Sequence, residues 1–148
     1  MHGGEQENGF RAGTLAVHNI VGFGKAAEIA LRDFEVNEKR ILKLDQMLIS
    51  ELNAIQEISL TNPSEQRLPG IVSIVVDKRD FNNERFIKHI SDKLALSTGS
   101  ACSAGEPSYV ITALGLEDKV SKVLRISINK YTTEEDIIQL IKILKSEL

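Results

Sequence analysis

The residue best suited to covalent chemistry is the single cysteine, Cys102, which lies among small and polar residues between Ser97 and Gly105. A lone cysteine is more often a small buried hydrophobic residue than a nucleophile. Small polar neighbours bury a thiol poorly, however, and they are typical of a loop that presents it to a reaction partner. A nucleophilic thiol must also be deprotonated, which requires a nearby cation or a helix dipole. No Lys, Arg or His adjoins Cys102 in the sequence, so we expect its activation to come from the fold or from a partner.

Two further residues have side chains suited to binding anions. Arg125 lies between Leu124 and Ile126 in a predicted strand, where the commoner role of an arginine is a surface ion pair. On a half-buried strand its guanidinium could also bind a substrate carboxylate through two parallel hydrogen bonds. Thr14 ends a glycine-containing segment that leads into a predicted helix, where a hydroxyl and backbone N–H groups could meet a phosphate. An ordinary turn and helix cap is the simpler interpretation of Thr14, since its spacing matches neither a Walker loop nor a dinucleotide-binding motif.

The remaining polar residues and the composition exclude several classes of function. His2, His18 and His89 do not lie at metal-ligand spacing from one another or from Cys102, so no metal site is predicted. The formal net charge of -3 does not favour direct binding of nucleic acid or of a membrane surface. The apolar runs are too short to span a membrane, and the first residues lack a secretory pattern. With one cysteine there is no intramolecular disulfide, and a reducing, cytoplasmic location is expected.

The elements that must position these side chains are helices alternating with a few strands. Apolar residues at helical spacing indicate a helix from about residue 36, while Gly22 and Gly24 weaken a helix over residues 15–30. Strands are predicted at residues 71–76 and 123–128 from their β-branched and alternating patterns. Further helices are predicted over residues 83–94 and 107–115, and after a capping box at residues 132–135. This order predicts an α+β domain of two layers, with a small sheet of about three to four strands and helices packed on one face.

Three segments together resemble the cysteine desulfurases, which belong to the class V aminotransferase group of fold-type I enzymes. They are residues 2–7 with residues 11–14, residues 97–109, and residues 124–127 with residues 130–135. They occur in the order found in that family, and the resemblance covers nearly the whole chain. It implies the C-terminal small domain of such an enzyme over residues 19–148, preceded by a loop and helix start, residues 1–18, at the edge of the cofactor-binding domain.

The resemblance also implies a mechanism and roles for the three residues. Such enzymes convert L-cysteine to L-alanine with pyridoxal phosphate and leave the substrate sulfur as a persulfide on an enzyme cysteine. By resemblance, Cys102 forms the persulfide and Arg125 grips the substrate carboxylate. Thr14 resembles the threonine that reaches the cofactor phosphate of the neighbouring subunit in a homodimer. A sulfur-acceptor protein is the further partner that the resemblance implies.

The sequence departs from the family pattern in two places. The cofactor lysine of the family follows a Ser-x-His sequence, and no Ser-x-His-Lys occurs here. We therefore expect this chain to bind no cofactor and to be inactive by itself. In addition, only three residues separate Cys102 from Glu106, a shorter link than in many desulfurases that serve iron–sulfur scaffolds. Sulfur delivery for DNA phosphorothioation or tRNA thiolation is therefore as plausible as iron–sulfur cluster assembly.

Two alternative functions remain. The chain could be a non-enzymatic sulfur carrier or interaction module, which the absent lysine favours, although such a module would have no use for Arg125 or Thr14. It could also belong to a selenocysteine lyase or to another class V enzyme, against which the residues around Cys102 argue.

Overall fold

The structure, a computed structural model, describes residues 3–62, 67–98 and 108–148. The chain divides into two units, Met1–Asn37 and Glu38–Leu148. The described elements are, in chain order, α1 (Val17–Asn53), β1 (Ile58–Leu60), β2 (Ile71–Val76), α2 (Asn83–His89), α3 (Tyr109–Ala113), β3 (Val123–Ser127) and α4 (Glu134–Glu147). Two short 3-10 helices, Gln6–Gly9 and Glu117–Lys122, complete the set.

The sheet is antiparallel, with strand order β1-β2-β3. β2 is the central strand, and its alternating side chains pack against other residues on both faces. Val72, Ile74 and Val76 lie in the main core, whereas Val75 belongs to a smaller cluster with Val123. The predicted strand at residues 71–76 is confirmed, and the strand predicted at residues 123–128 ends one residue earlier.

The main core lies between one face of the sheet and the longer helices. Buried side chains from the second part of α1, from α2 and its end, and from α4 contribute to it. These are Leu44, Leu48, Leu52, Phe86, Ile90, Ile137, Leu140, Ile141, Ile143 and Leu144. The opposite face is covered in part by Ile111 of α3 and by Leu116 and Val120 near the second 3-10 helix. The predicted α+β class, with a small sheet and the longer helices packed on one face, is confirmed. The prediction placed helices on one face only, whereas the short helix α3 packs on the other face.

Besides the end of β3, the boundaries of four helices differ from those predicted. α3 ends at Ala113, two residues before the predicted end near Gly115, and its predicted start at residue 107 lies outside the described residues. α1 continues through Gly22 and Gly24, because no proline interrupts it and neighbouring residues support a helix. α2 ends at His89, five residues earlier than predicted, and turns carry the chain onward. The capping box of α4 is formed by Thr133 and Asp136, one residue later than predicted, with reciprocal hydrogen bonds of 3.2 and 2.8 Å.

A buried ion pair fixes the entry into β2. Asp45 of α1 is 4% exposed, and its carboxylate accepts hydrogen bonds from both terminal nitrogens of Arg67 and from the backbone N–H of Gly70 at 2.8 Å. Gly70 has φ +89°, a conformation that favours glycine, and a Cβ there would lie 3.0 Å from Ile41. The pair therefore holds the chain ahead of β2 against the second part of α1.

Candidate active site

Arg125 lies in the middle of β3, on the face of the sheet that is opposite the main core. Its Cα partner on β2 is Ser73, and on its other side it forms an isolated β-bridge with Ser97. Both backbone hydrogen bonds of this bridge are present: Ser97 N–H donates to the Arg125 carbonyl at 3.2 Å, and Arg125 N–H donates to the Ser97 carbonyl at 2.6 Å. The arginine is half-buried, as predicted for a residue on a half-buried strand.

The guanidinium of Arg125 is incompletely satisfied. Its Nη2 donates to the Ser97 hydroxyl at 3.2 Å, while its Nε is buried and has no hydrogen-bond partner within the described part of the chain. A buried N–H without a partner costs free energy, and the cost is larger for a charged group. Such a donor is suited to an acceptor that is not among the described residues, and a carboxylate is the acceptor that matches a guanidinium in shape and charge.

Cys102 lies outside the described residues, within the gap at residues 99–107. Its role stays a prediction. What the structure does place is the residue at which its segment leaves the sheet, because Ser97 is paired with Arg125 and Thr98 is the last residue described before the gap.

Thr14 belongs to the first unit and is exposed. The turn that carries it is held by three hydrogen bonds: the Gln6 side-chain oxygen accepts from Gly13 N–H at 3.1 Å, and Arg11 Nη1 donates to the carbonyls of Gly13 and Thr14 at 3.3 and 3.1 Å. Gly13 has φ +98°, so a residue with a side chain would be strained there. Thr14 precedes α1 by three residues, hence it is not the helix cap, and its hydroxyl lies on an ordered turn.

Neither of the two described histidines, His18 and His89, has surroundings that suggest a catalytic role. His18 is exposed on α1, and His89 contacts the Glu147 carboxylate, with 3.0 Å between Nε2 and Oε2. Glu147 also accepts from Lys93 Nζ at 2.9 Å, and these two contacts, that with Lys93 first, lower the pKa of Glu147. Among the residues that the structure describes, no group of three or more His, Cys, Asp and Glu could hold a metal ion. Nor is any helix in the described part long and apolar enough to cross a membrane.

The geometry thus brings together Arg125 and Ser97, a pair that the sequence did not reveal. Ser97 belongs to the segment around Cys102, but serine as a residue type predicts no particular role there. It lies 28 residues from Arg125 in the chain, and only the pairing of the two segments brings its hydroxyl to the guanidinium.

Comparison with known proteins identifies the family of this fold. The class V aminotransferase pattern matches residues 2–140. The chain belongs to the class V aminotransferases. Within this family, the cysteine desulfurase IscS of Shewanella pealeana is 42% identical over 151 residues, which cover all of this chain and 37% of the relative. The chain therefore spans little more than a third of the length of that relative.

Two solved structures share the fold of this chain. A NifS-like protein from Rickettsia africae superposes with a TM-score of 0.85 at 25% identity, covering 99% of this chain and 38% of that protein. C-DES, which is 18% identical, shares the fold with a TM-score of 0.66 over 93% of this chain and 31% of its own, and in that protein glycine is covalently linked to the PLP cofactor. The predicted resemblance to cysteine desulfurases of the class V aminotransferase group is confirmed.

Proposed function

We propose that this chain supplies the sulfur-accepting and carboxylate-binding parts of a pyridoxal-phosphate-dependent cysteine desulfurase. The observation that carries the proposal is the buried Nε of Arg125, a charged donor without a partner among the described residues. It lies on a strand whose neighbouring segment leads to Cys102. Because Cys102 follows Ser97 by five residues, chain connectivity alone keeps the two within roughly 18 Å of each other.

Arg125 binds the carboxylate of L-cysteine and orients the substrate. Its guanidinium offers five N–H donors in a planar fork, so that Nε and a terminal nitrogen engage both carboxylate oxygens while Ser97 keeps its own hydrogen bond. The low-dielectric position of Nε strengthens this contact relative to an exposed arginine.

Cys102 takes the sulfur atom. Its thiolate attacks the sulfur of the bound cysteine, the S–S bond forms as the C–S bond breaks, and the electron pair stays with the substrate carbon, which gains a proton to give L-alanine. The cofactor supplies the electron sink for that bond cleavage. The persulfide on Cys102 then passes its outer sulfur to an acceptor protein, for which iron–sulfur cluster assembly, tRNA thiolation and DNA phosphorothioation remain the three candidate pathways.

Thr14 donates its hydroxyl to the cofactor phosphate of the neighbouring subunit in a homodimer. Its exposure and the ordered turn around Gly13 support a contact with a group outside this chain. In this proposal residues 1–18 belong to the edge of the cofactor-binding domain and residues 19–148 form the small domain. The residues present fit a contact with the phosphate, whereas a Ser-x-His-Lys sequence that would attach the cofactor is absent. The chain by itself is therefore inactive.

The test is a chimera in which the matched segment of the Shewanella pealeana relative is replaced by these 148 residues. We expect the chimera to bind pyridoxal phosphate, seen by its absorbance, and to release alanine from L-cysteine, while Cys102→Ser binds the cofactor but does not turn over. A cofactor-loaded chimera that releases no alanine, or one in which Cys102→Ser turns over normally, would overturn the proposal. The isolated chain with added cofactor should release no alanine above the free-cofactor background.

A second candidate function is a sulfur carrier that accepts persulfide sulfur at Cys102 without catalysing its release. The absence of the Ser-x-His-Lys sequence favours it, whereas the unpaired donor of Arg125 does not, because a carrier needs no carboxylate site. The chimera separates the two: a carrier would acquire sulfur from an added persulfide donor but would give no Cys102-dependent alanine from L-cysteine.

A further inference from the structure

A serine holds the guanidinium of Arg125 in place. Ser97 is half-buried and pairs with Arg125 through two backbone hydrogen bonds, and its hydroxyl accepts a third hydrogen bond from Arg125 Nη2 at 3.2 Å. In an antiparallel pair that exchanges both backbone bonds, the two side chains project from the same face of the sheet. The hydroxyl therefore reaches the guanidinium from the outer side of β3.

This contact restricts an otherwise flexible side chain. A free arginine side chain samples many rotamers, and part of this freedom is lost each time it binds a ligand. A hydrogen bond to one terminal nitrogen removes much of that freedom before the ligand arrives, and a pre-organised binder loses less entropy on binding. Ser97 engages a terminal nitrogen and leaves Nε, the buried donor without a partner in the described residues, to the ligand.

We infer that Ser97 is a positioning residue for the substrate carboxylate: its hydroxyl orients the Arg125 guanidinium so that Nε and a second N–H meet the carboxylate together. This inference rests on the carboxylate-binding role proposed for Arg125. It assigns to Ser97 a function that neither its residue type nor its sequence position predicts.

The same residue is the point at which the cysteine segment leaves the sheet. The backbone bridge to Arg125 fixes Ser97 five residues before Cys102, so the carboxylate site and the start of that segment share one anchor. Replacing the hydroxyl keeps this backbone bridge, which makes the two contributions of Ser97 separable.

The experiment is nuclear magnetic resonance of the Arg125 side-chain N–H groups in the full 148-residue chain, titrated with L-alanine, the unreactive product. L-Alaninamide, which lacks the carboxylate, is the control ligand. The variants are Ser97→Ala, which removes the hydroxyl; Ser97→Thr, which restores it; and Ser73→Ala, which removes a different hydroxyl from the residue opposite Arg125 on β2.

In the unsubstituted chain we expect the Arg125 Nε–H signal to shift saturably with L-alanine and not with L-alaninamide. Ser97→Ala should weaken binding about tenfold and speed the rotation of the terminal guanidinium nitrogens, since it removes a hydrogen bond to a charged group. Ser97→Thr should restore both properties to within about twofold, and Ser73→Ala should leave both unchanged.

The possible failures are distinct. A signal that never shifts with L-alanine in the unsubstituted chain would overturn the carboxylate role of Arg125, and the role of Ser97 with it. A normal shift with equal affinity in Ser97→Ala, or unchanged guanidinium rotation in that variant, would overturn the role of Ser97 alone. Loss of binding in Ser73→Ala to the same extent as in Ser97→Ala would also overturn it, because the effect would then not be specific to the Ser97 hydroxyl.

Discussion

Two arginines beside the same sheet have opposite surroundings. Arg67, ahead of β2, donates from both terminal nitrogens to the buried carboxylate of Asp45 and also to the carbonyl of Ile71 at 3.4 Å. Within the described residues, Arg125 on β3 donates to one side chain, the hydroxyl of Ser97, and its buried Nε has no partner. Arg67 is thus matched by an anion within the chain, whereas Arg125 has a neutral neighbour.

The difference is the one expected between an arginine that stabilises the fold and one that binds a ligand, which is the role proposed above for Arg125. A buried charge is tolerated when it is paired, and an unpaired buried donor persists only where another requirement maintains it. Arg67 forms an ion pair with the buried carboxylate of Asp45. Arg125 forms no ion pair with any carboxylate among the described residues. In the proposed function, the carboxylate of the substrate completes the Arg125 site.

The largest effect on stability is expected when the anion of the matched pair is removed. Asp45→Asn leaves the Arg67 guanidinium, whose side chain is 17% exposed, without its charge partner, and should lower the free energy of unfolding by about 3 kcal/mol. Urea unfolding of the chain measures it. Glu28→Gln, which breaks the exposed pair with Lys25, is the control and should change stability by less than about 0.5 kcal/mol. Equal losses of unfolding free energy in the two variants would mean that the buried pair stabilises the fold no more than the exposed pair does.

A smaller change in the free energy of unfolding, of opposite sign, is expected when Arg125 is replaced. Arg125→Met removes the buried donor without a partner and retains apolar volume, so the free energy of unfolding should stay the same or rise by about 1 kcal/mol. The same urea series measures it. A loss of stability as large as that of Asp45→Asn would contradict the distinction between the two arginines.

The smallest effect on stability concerns Glu147, a half-buried carboxylate whose two partners, His89 and Lys93, are exposed. The hydrogen bonds from Lys93 and His89 lower the pKa of Glu147 below its ordinary value of 4.5. Because the pKa is lower in the folded chain than in the unfolded one, this contribution to stability is complete above pH 4.5 and is lost as the pH falls through the folded value. Unfolding measured from neutral to acid pH should show a shallower acid loss in Glu147→Gln than in the unsubstituted chain. Glu135→Gln, on the same helix, is the matched control, and an identical slope in both variants would rule out the contribution of Glu147.

The elements with strong local patterns could be predicted from the sequence, and those that depend on distant partners could not. The β-branched run at residues 71–76 and the capping residues before α4 are local signals, and both elements form there. β1 has three residues, Ile58–Leu60, and no pattern distinguishes so short a strand; it forms because β2 offers a partner. The prediction of a sheet was therefore sound, whereas one of its three described strands was missed.

The candidate site, too, could be predicted from the sequence only in part. Arg125 could be selected from its position in a predicted strand, and its half-burial agrees with that choice. Ser97 and Arg125 are 28 residues apart, and Asp45 and Arg67 are 22 apart, so neither contact has a sequence signature. Whether an arginine has an anionic partner is a property of tertiary packing, and among the described residues it is this property that distinguishes Arg67 from Arg125.

The most direct test of the central claim is the amount of persulfide on Cys102 in the cofactor-loaded chimera, measured by mass spectrometry at increasing concentrations of L-cysteine. With Arg125 intact, Cys102 should gain the mass of one sulfur atom. With Arg125→Met, loading should require about 100-fold more cysteine, because a buried contact between a charged pair is lost. Equal loading of the two proteins at every cysteine concentration would contradict the claim that the unmatched arginine of β3 is completed by the substrate carboxylate.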